Sequence, residues 1–340
     1  MTGLLWSWMS PQEGAEHRSW LVLRDLRSQA HLQRVTTTLE RCVQTLDDAG
    51  VEVATIKGVT AQARWYQRPG ERPCSDIDLL LAPHDLPRAS VAVAALVPDH
   101  PWLPDLDDMV RSGRIQTVTL RVDGLEVDLH FDLLKLGFPT RQASLIWDRT
   151  ECFELPGGTV VRVLDDTTAL FHLLVHLNKD RFQRLLGLAD IPRVLDAGRV
   201  DWVQLRRMAF GEGLDVPVAC SLEAVVNDLA IGFPPDLPRP HGPRAALWRW
   251  IWRPSIRLRG REGRLRFRAR QQWIALLARG RIREALASWA GDVLPPAPTV
   301  RSRYGDLSSS YVVTLCRGRL RSIRQLRSQR RDALSRRTTS

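Results

Sequence analysis

The sequence predicts an α+β fold: a sheet flanked by helices, followed by a helical C-terminal region. Three observations predict it. Segments near residues 51–56, 76–81, 115–122 and 125–133 alternate or run apolar at strand length, and stretches at 17–49 and 165–231 carry apolar residues at helical spacing. Asp123-Gly124, between the third and fourth strand segments, is the strongest short-range hairpin signal in the chain. With 340 residues, 44% of them hydrophobic, the chain is expected to hold more than one domain and a sizeable core.

In chain order, residues 17–49 form a helix packed beside the sheet. Val51 to Ile56 reads as a short strand running into Lys57-Gly58, after which Val59 to Gln67 is helical. A strand, a glycine turn and a helix start make a phosphate cradle, because free amide N–H groups and the positive end of the helix dipole point at the ligand. The next strand opens Asp76-Ile77-Asp78 and continues Leu79-Leu80-Leu81. Side chains two apart on a strand share a face, so Asp76 and Asp78 project two carboxylates from one side. Two neighbouring anions on a buried strand are costly unless neutralised, and a hard cation such as Mg²⁺, shared with substrate phosphates, is the usual answer.

The second hairpin strand places Glu126, Asp128 and His130 on one face, so a third carboxylate, fifty residues after Asp78, comes beside the first pair on a neighbouring strand. Glu126 either joins the site or lies beyond it at the hairpin edge. His130 either orients Asp128 by a hydrogen bond or is a core histidine. Gly157-Gly158 marks a further hairpin that ends the α/β unit. Asp165 caps the first of several amphipathic helices that run to Ile231, and the Pro-rich segment Phe233 to Pro243 is a boundary. The expected division is an N-terminal helix in 1–49, a catalytic unit in 50–163, a helical domain in 164–232 and an Arg- and Trp-rich helical region in 241–340.

These residues resemble a known family. Lys57-Gly58, Tyr66 to Pro69, Arg72-Pro73, Asp76-Ile77-Asp78-Leu79-Leu80 and Val127-Asp128-Leu129-His130 are similar to the uncharacterised nucleotidyltransferase family within the polymerase-beta-like superfamily. The likeness continues through Leu164-Asp165, His172 and His176, Asp190-Ile191, Asp201-Trp202, Leu294-Pro295 and Arg303-Tyr304-Gly305. It implies a polymerase-beta-like mixed sheet flanked by helices, with the helices after Asp165 forming one wall of a nucleotide cleft. It also implies transfer of a nucleoside monophosphate from an NTP to an acceptor hydroxyl on an RNA end, a protein side chain or a small molecule. Asp76, Asp78 and Asp128 would hold two Mg²⁺ ions, and Lys57, Gly58 and Arg72 would meet the triphosphate. The superfamily usually has Gly-Ser or Gly-Gly at the phosphate turn, whereas Lys57-Gly58-Val59 offers no hydroxyl there. A catalytically silent module that binds nucleotide or nucleic acid is the alternative. Lys57 then reads as a solvated strand end, and Arg72 as a structural partner of Asp76 or Asp78.

His172 and His176 share a helix face, but Leu173-Leu174-Val175 between them holds no glutamate base for a zinc protease. They are expected to pack between domains or reach toward the nucleotide. Five cysteines, at 42, 74, 152, 220 and 316, show no metal-ligand spacing and no close pair, which fits a reducing compartment. No apolar stretch reaches the length of a membrane span, so a cytoplasmic location is expected.

Charge is unevenly spread. Residues 241–340 hold 24 arginines, no lysine and 5 acids, while the first 240 hold 25 basic and 33 acidic side chains, so the formal +11 belongs to the C-terminal part. Arginines interleaved with Trp248, Trp250, Trp252, Phe267, Trp273 and Trp289 suit phosphate contact with base stacking, or contact with an anionic membrane surface. Helices docked on the catalytic unit with a solvated basic face are the plainer reading. The chain has only three lysines against 46 arginines, a bias that suggests the composition of the source genome.

Overall fold

The computed structural model describes residues 18–97, 116–136, 139–180, 185–234 and 237–257, together with 110, 182, 277, 279–284, 286 and 290. By contact density the chain divides into two compact units. The first comprises residues 1–102 and 106–285 and holds the whole sheet; the second comprises 103–105 and 286–340, almost all outside the described residues.

Helix α1 (Arg18–Asp48) precedes β1 (Val53–Thr55), α2 (Gly58–Trp65), β2 (Asp76–Leu81) and α3 (Leu86–Leu96). The hairpin β3 (Thr117–Val122) and β4 (Leu125–His130) follows, then α4 (Ala143–Asp148) and a second hairpin, β5 (Thr150–Glu154) and β6 (Val160–Leu164). The remaining described helices are α5 (Asp166–Lys179), α6 (Leu185–Asp196), α7 (Trp202–Gly211), α8 (Asp215–Asp228) and α9 (Gly242–Arg257). The chain is therefore α+β, built on a six-stranded mixed sheet in the order β3-β4-β2-β1-β6-β5. β1 runs antiparallel to β2 and parallel to β6, and β2 runs parallel to β4.

Local chemistry accounts for several of these elements. Asp123 and Gly124 both take positive φ, as a tight hairpin turn requires. Asp165 caps α5 by accepting the Thr168 N–H at 2.7 Å, and Asp201 caps α7 by accepting that of Gln204 at 2.9 Å. α5 is buried along nearly its whole length, from Asp166 to Asn178.

The two sheet faces meet different helices. Ile77, Leu79 and Leu81 are buried on one face, and α1 packs on β1, β2 and α3. Leu80, which shares its face with Asp76 and Asp78, joins Ala54, Ile56 and Leu164 in a large apolar core with α5, α6, α7 and α8. Trp248 and Trp252 of α9 are buried in that core, and Trp248 donates to Asn178 Oδ1 at 2.8 Å. These two of the interleaved tryptophans are thus occupied by packing, whereas Trp250 is exposed. Phe267, Trp273, Trp289, Leu294-Pro295 and Arg303-Tyr304-Gly305 lie outside the described residues. Among the described residues, no helix is long and apolar enough to cross a membrane.

Candidate active site

The site forms where β1 ends and β2 and β4 run side by side. Parallel pairing sets Asp76 opposite Glu126, Asp78 opposite Asp128, and Leu80 opposite His130. Partners in register point to the same face, so the strand pair presents a patch of acids closed at its inner end by an imidazole. One ligand atom from each of Asp78, Asp128 and His130 lies within 4.8 Å of the others, the group among the described residues suited to a metal ion. Asp76 lies one register step further out, half-buried, and accepts the Ser75 hydroxyl at 3.1 Å. Glu126 is exposed at the hairpin edge.

His130 does not orient Asp128. Its Nε2 meets Asp78 Oδ1 at 2.7 Å, because leaning back by one register step brings the ring over the opposite carboxylate. Burial holds the His130 pKa down to about 4 despite Asp78, so the neutral ring donates its Nε2 hydrogen. Its Nδ1 is buried without a partner. Burial alone would raise the Asp78 pKa, but the charge on Lys57 and the His130 hydrogen bond win and hold it well below the carboxylate range. Asp78 is therefore an ionised, almost fully buried carboxylate. Asp128 is more open; its Oδ1 accepts the Thr119 hydroxyl at 2.5 Å.

Cations surround the pair at arm's length. Lys57 Nζ stands 3.8 Å from Asp78 Oδ1, and Lys135 Nζ stands 3.9 Å from Asp128 Oδ2. Lys57 sits at φ 62° and ψ −149°, a region that strongly favours glycine, directly before α2. Gly58 follows at φ 49°, and a Cβ there would stand 3.4 Å from the Asp76 carbonyl. Lys135 also has positive φ, in a loop held by Asp132, which accepts the Leu134 N–H at 2.9 Å and the Lys135 N–H at 3.0 Å. Burial, then the like charges of Lys179 and Lys57, push the Lys135 pKa down to about 8.

The structure takes Arg72 away from the carboxylates. Its guanidinium is buried and makes a two-pronged pair with Asp190, Nε to Oδ1 and Nη2 to Oδ2 both at 2.8 Å, while Tyr66 donates to Oδ1 at 2.7 Å. Nη1 reaches the Gly58 carbonyl at 3.3 Å, so Arg72 braces the turn from behind. Beside Lys57 a pocket opens between α2 and α5, lined by Thr55, Thr60, Ala61, Arg64 and Trp65 on one side and Leu164, Ala169, His172 and Leu173 on the other. His172 is buried with neither ring nitrogen partnered, and burial holds its pKa well below the usual histidine value. His176 contacts Asp180 through Nδ1 at 3.2 Å.

No motif marks Lys135 or Lys179, and Asp190 enters the sequence reading only within the Asp190-Ile191 likeness, with no role attached. Asp190 follows Arg72 by 118 positions, so no local spacing links them. The two lysines had one signal, the scarcity of lysine in a chain rich in arginine.

Comparison with known proteins agrees with this architecture. The model of a family described as uncharacterised nucleotidyltransferases matches residues 20–226, well over half of the chain, and the chain belongs to that family. The match spans the sheet, the carboxylates and α5 to α7, and ends within α8. No curated protein matches the chain.

Proposed function

We propose that this nucleotidyltransferase uses two Mg²⁺ ions to move a nucleoside monophosphate from an NTP to an acceptor hydroxyl, releasing pyrophosphate. The observation that carries the proposal is the register of β2 on β4, which sets Asp78 opposite Asp128 with Asp76 on the same face. The donors fit a hard divalent cation, since Asp78 is held ionised and carboxylate oxygens predominate. Asp76, Asp78 and Asp128 would hold the ions, which when bound neutralise triphosphate charge and acidify an acceptor hydroxyl.

The chain's own residues do the rest. Neutral His130 fixes the orientation of Asp78 by its hydrogen bond. Asp128, the more open of the two opposed carboxylates, takes the acceptor's proton as the acceptor oxygen bonds to the α-phosphorus. The bond from that phosphorus to the bridging oxygen breaks in line, and pyrophosphate leaves with the electron pair. Lys57 and the Gly58 turn lie at the triphosphate end, and Arg72 serves them by holding the turn. Most of the rate gain comes from positioning and charge neutralisation. An RNA end is an acceptor that the arginine-rich C-terminal region would favour.

The test is to incubate the full chain with Mg²⁺ and labelled ATP, CTP, GTP and UTP and follow label transfer and pyrophosphate. Asp78→Asn should lose at least a hundredfold in rate. Equal release by wild type and the Asp76→Ala/Asp78→Ala double variant would sink the proposal, and metal-dependent NTP binding without turnover would favour the silent module.

A further inference from the structure

Two of the three lysines of this chain stand beside the carboxylates, and the third is close enough for its charge to act on one of those two. Lys57 lies in the turn between β1 and α2, Lys135 in the loop after β4, and Lys179 is the last residue of α5, yet the like charges of Lys57 and Lys179 both act on Lys135. At 46 other positions the chain uses arginine for positive charge. A compositional bias toward arginine does not account for two of the three exceptions standing beside the carboxylates.

The two cations differ in what they do to a carboxylate. Arginine's planar fork locks onto both oxygens, as Arg72 does on Asp190 at 2.8 Å. Lysine is a compact charge on a flexible stem, and here the amines stand off at 3.8 Å and 3.9 Å, leaving the oxygens of Asp78 and Asp128 open to another cation. Backbone conformation points the same way. Lys57 and Lys135 both occupy positive φ, where glycine would be the unstrained choice, so the ammonium is retained against a conformational cost.

From this placement we infer that Lys57, Lys135 and Lys179 form a polyphosphate-binding cluster that takes the β- and γ-phosphates of the substrate and holds pyrophosphate as it leaves. The inference rests on the nucleotidyl-transfer reading and places positive charge beside a turn, Lys57-Gly58-Val59, that offers no hydroxyl donor. A compact anion suits the cluster better than a nucleic-acid backbone does, because the lysines come from three separate elements and Lys57 and Lys135 stand beside the opposed carboxylates Asp78 and Asp128 rather than along a stripe. Three rotatable N–H donors per lysine can also follow phosphate oxygens as they separate from the α-phosphorus.

Calorimetric titration of the full chain with inorganic tripolyphosphate and with pyrophosphate, in Mg²⁺ and without any nucleoside, tests it. Wild type should bind both, and Lys135→Gln and Lys179→Gln should each weaken binding about tenfold or more, the loss of one charge-assisted hydrogen bond. Lys135→Arg should keep phosphate affinity but raise the Mg²⁺ concentration needed, since the fork would occupy Asp128; a merely structural lysine would show no such shift. Thermal melts confirm that each variant is folded. Absence of tripolyphosphate binding, or binding unchanged in all three variants, overturns the inference and leaves the transfer reading to its own assay. Lysine-dependent tripolyphosphate binding by a chain that transfers no label supports the cluster while the transfer reading fails.

Discussion

Replacing Arg72 with methionine separates a structural brace from a phosphate ligand. The substitution keeps the apolar stem and removes the guanidinium, which makes both 2.8 Å contacts to Asp190 and reaches the Gly58 carbonyl at 3.3 Å. Arg72 is 6% exposed and Asp190 1%, so water cannot take over the lost partner, and among the described residues only Tyr66 is left on the carboxylate. Breaking a buried pair by removing one member costs about 3–5 kcal/mol, a large share of a total stability of roughly 5–15 kcal/mol. Asp190→Leu should cost a similar amount, because it leaves Arg72 as the unpaired charge. The double variant Arg72→Met/Asp190→Leu strands no charge, so its loss should be smaller than the sum of the two single losses by at least about 2 kcal/mol. Urea unfolding of the four proteins, read at their midpoints, gives the cycle. If Arg72→Met lies within 1 kcal/mol of wild type, or the losses simply add, the brace is wrong. Unchanged stability with lost tripolyphosphate binding would restore Arg72 to the phosphate.

Two further outcomes follow from the same geometry. Gly58→Ala should lower stability by about 1–2 kcal/mol, because an L side chain at φ 49° is strained even where the Asp76 carbonyl leaves room for it, and an unchanged melting temperature would refute the strain. His172 and His130 are held neutral when folded, so below pH 6.5 the unfolded chain binds more protons and stability falls with pH, by up to about 1.4 kcal/mol per pH unit for each histidine. His172→Leu should flatten the stability curve between pH 6.5 and 4.5, where the depressed pKa of Asp78 does not yet contribute; parallel curves would count against a buried neutral His172.

What could be read from the sequence was local or strictly periodic. The acidic strand, the Asp123-Gly124 hairpin, the long first helix and the Asp165 cap each depend on a few neighbouring residues, and each appears at the expected place. The third carboxylate was also legible, because period-two alternation assigns Asp128 to one face and the apolar residues around it assign that face to the sheet. Partner choice was not. His130 reaches Asp78 rather than the adjoining Asp128 because of a parallel pairing that no short spacing encodes. Arg72 finds Asp190 through the docking of α6 near α2, a long-range packing event with no local signature. No motif singles out Lys135 or Lys179, which the fold sets close enough for the charge of one to act on the other.

Charge balance explains why such a site is stable without ligand and still able to receive one. Asp78 stands near Lys57 and Asp128 near Lys135, so each of the two opposed carboxylates is matched by an amine and the sum of these charges is near zero. An NTP with about four negative charges, brought together with two divalent cations, adds close to nothing to that sum. Binding then requires only an exchange of partners, in which carboxylates pass from amines to cations and amines from carboxylates to phosphates. Separations of 3.8 and 3.9 Å are suited to that exchange, since they hold the charges near one another without the tight hydrogen bonds that the chain's arginines make elsewhere. Arginine at positions 57 and 135 would hold the carboxylates more tightly and exchange less readily, which is a physical reason for a chain so rich in arginine to have lysine there.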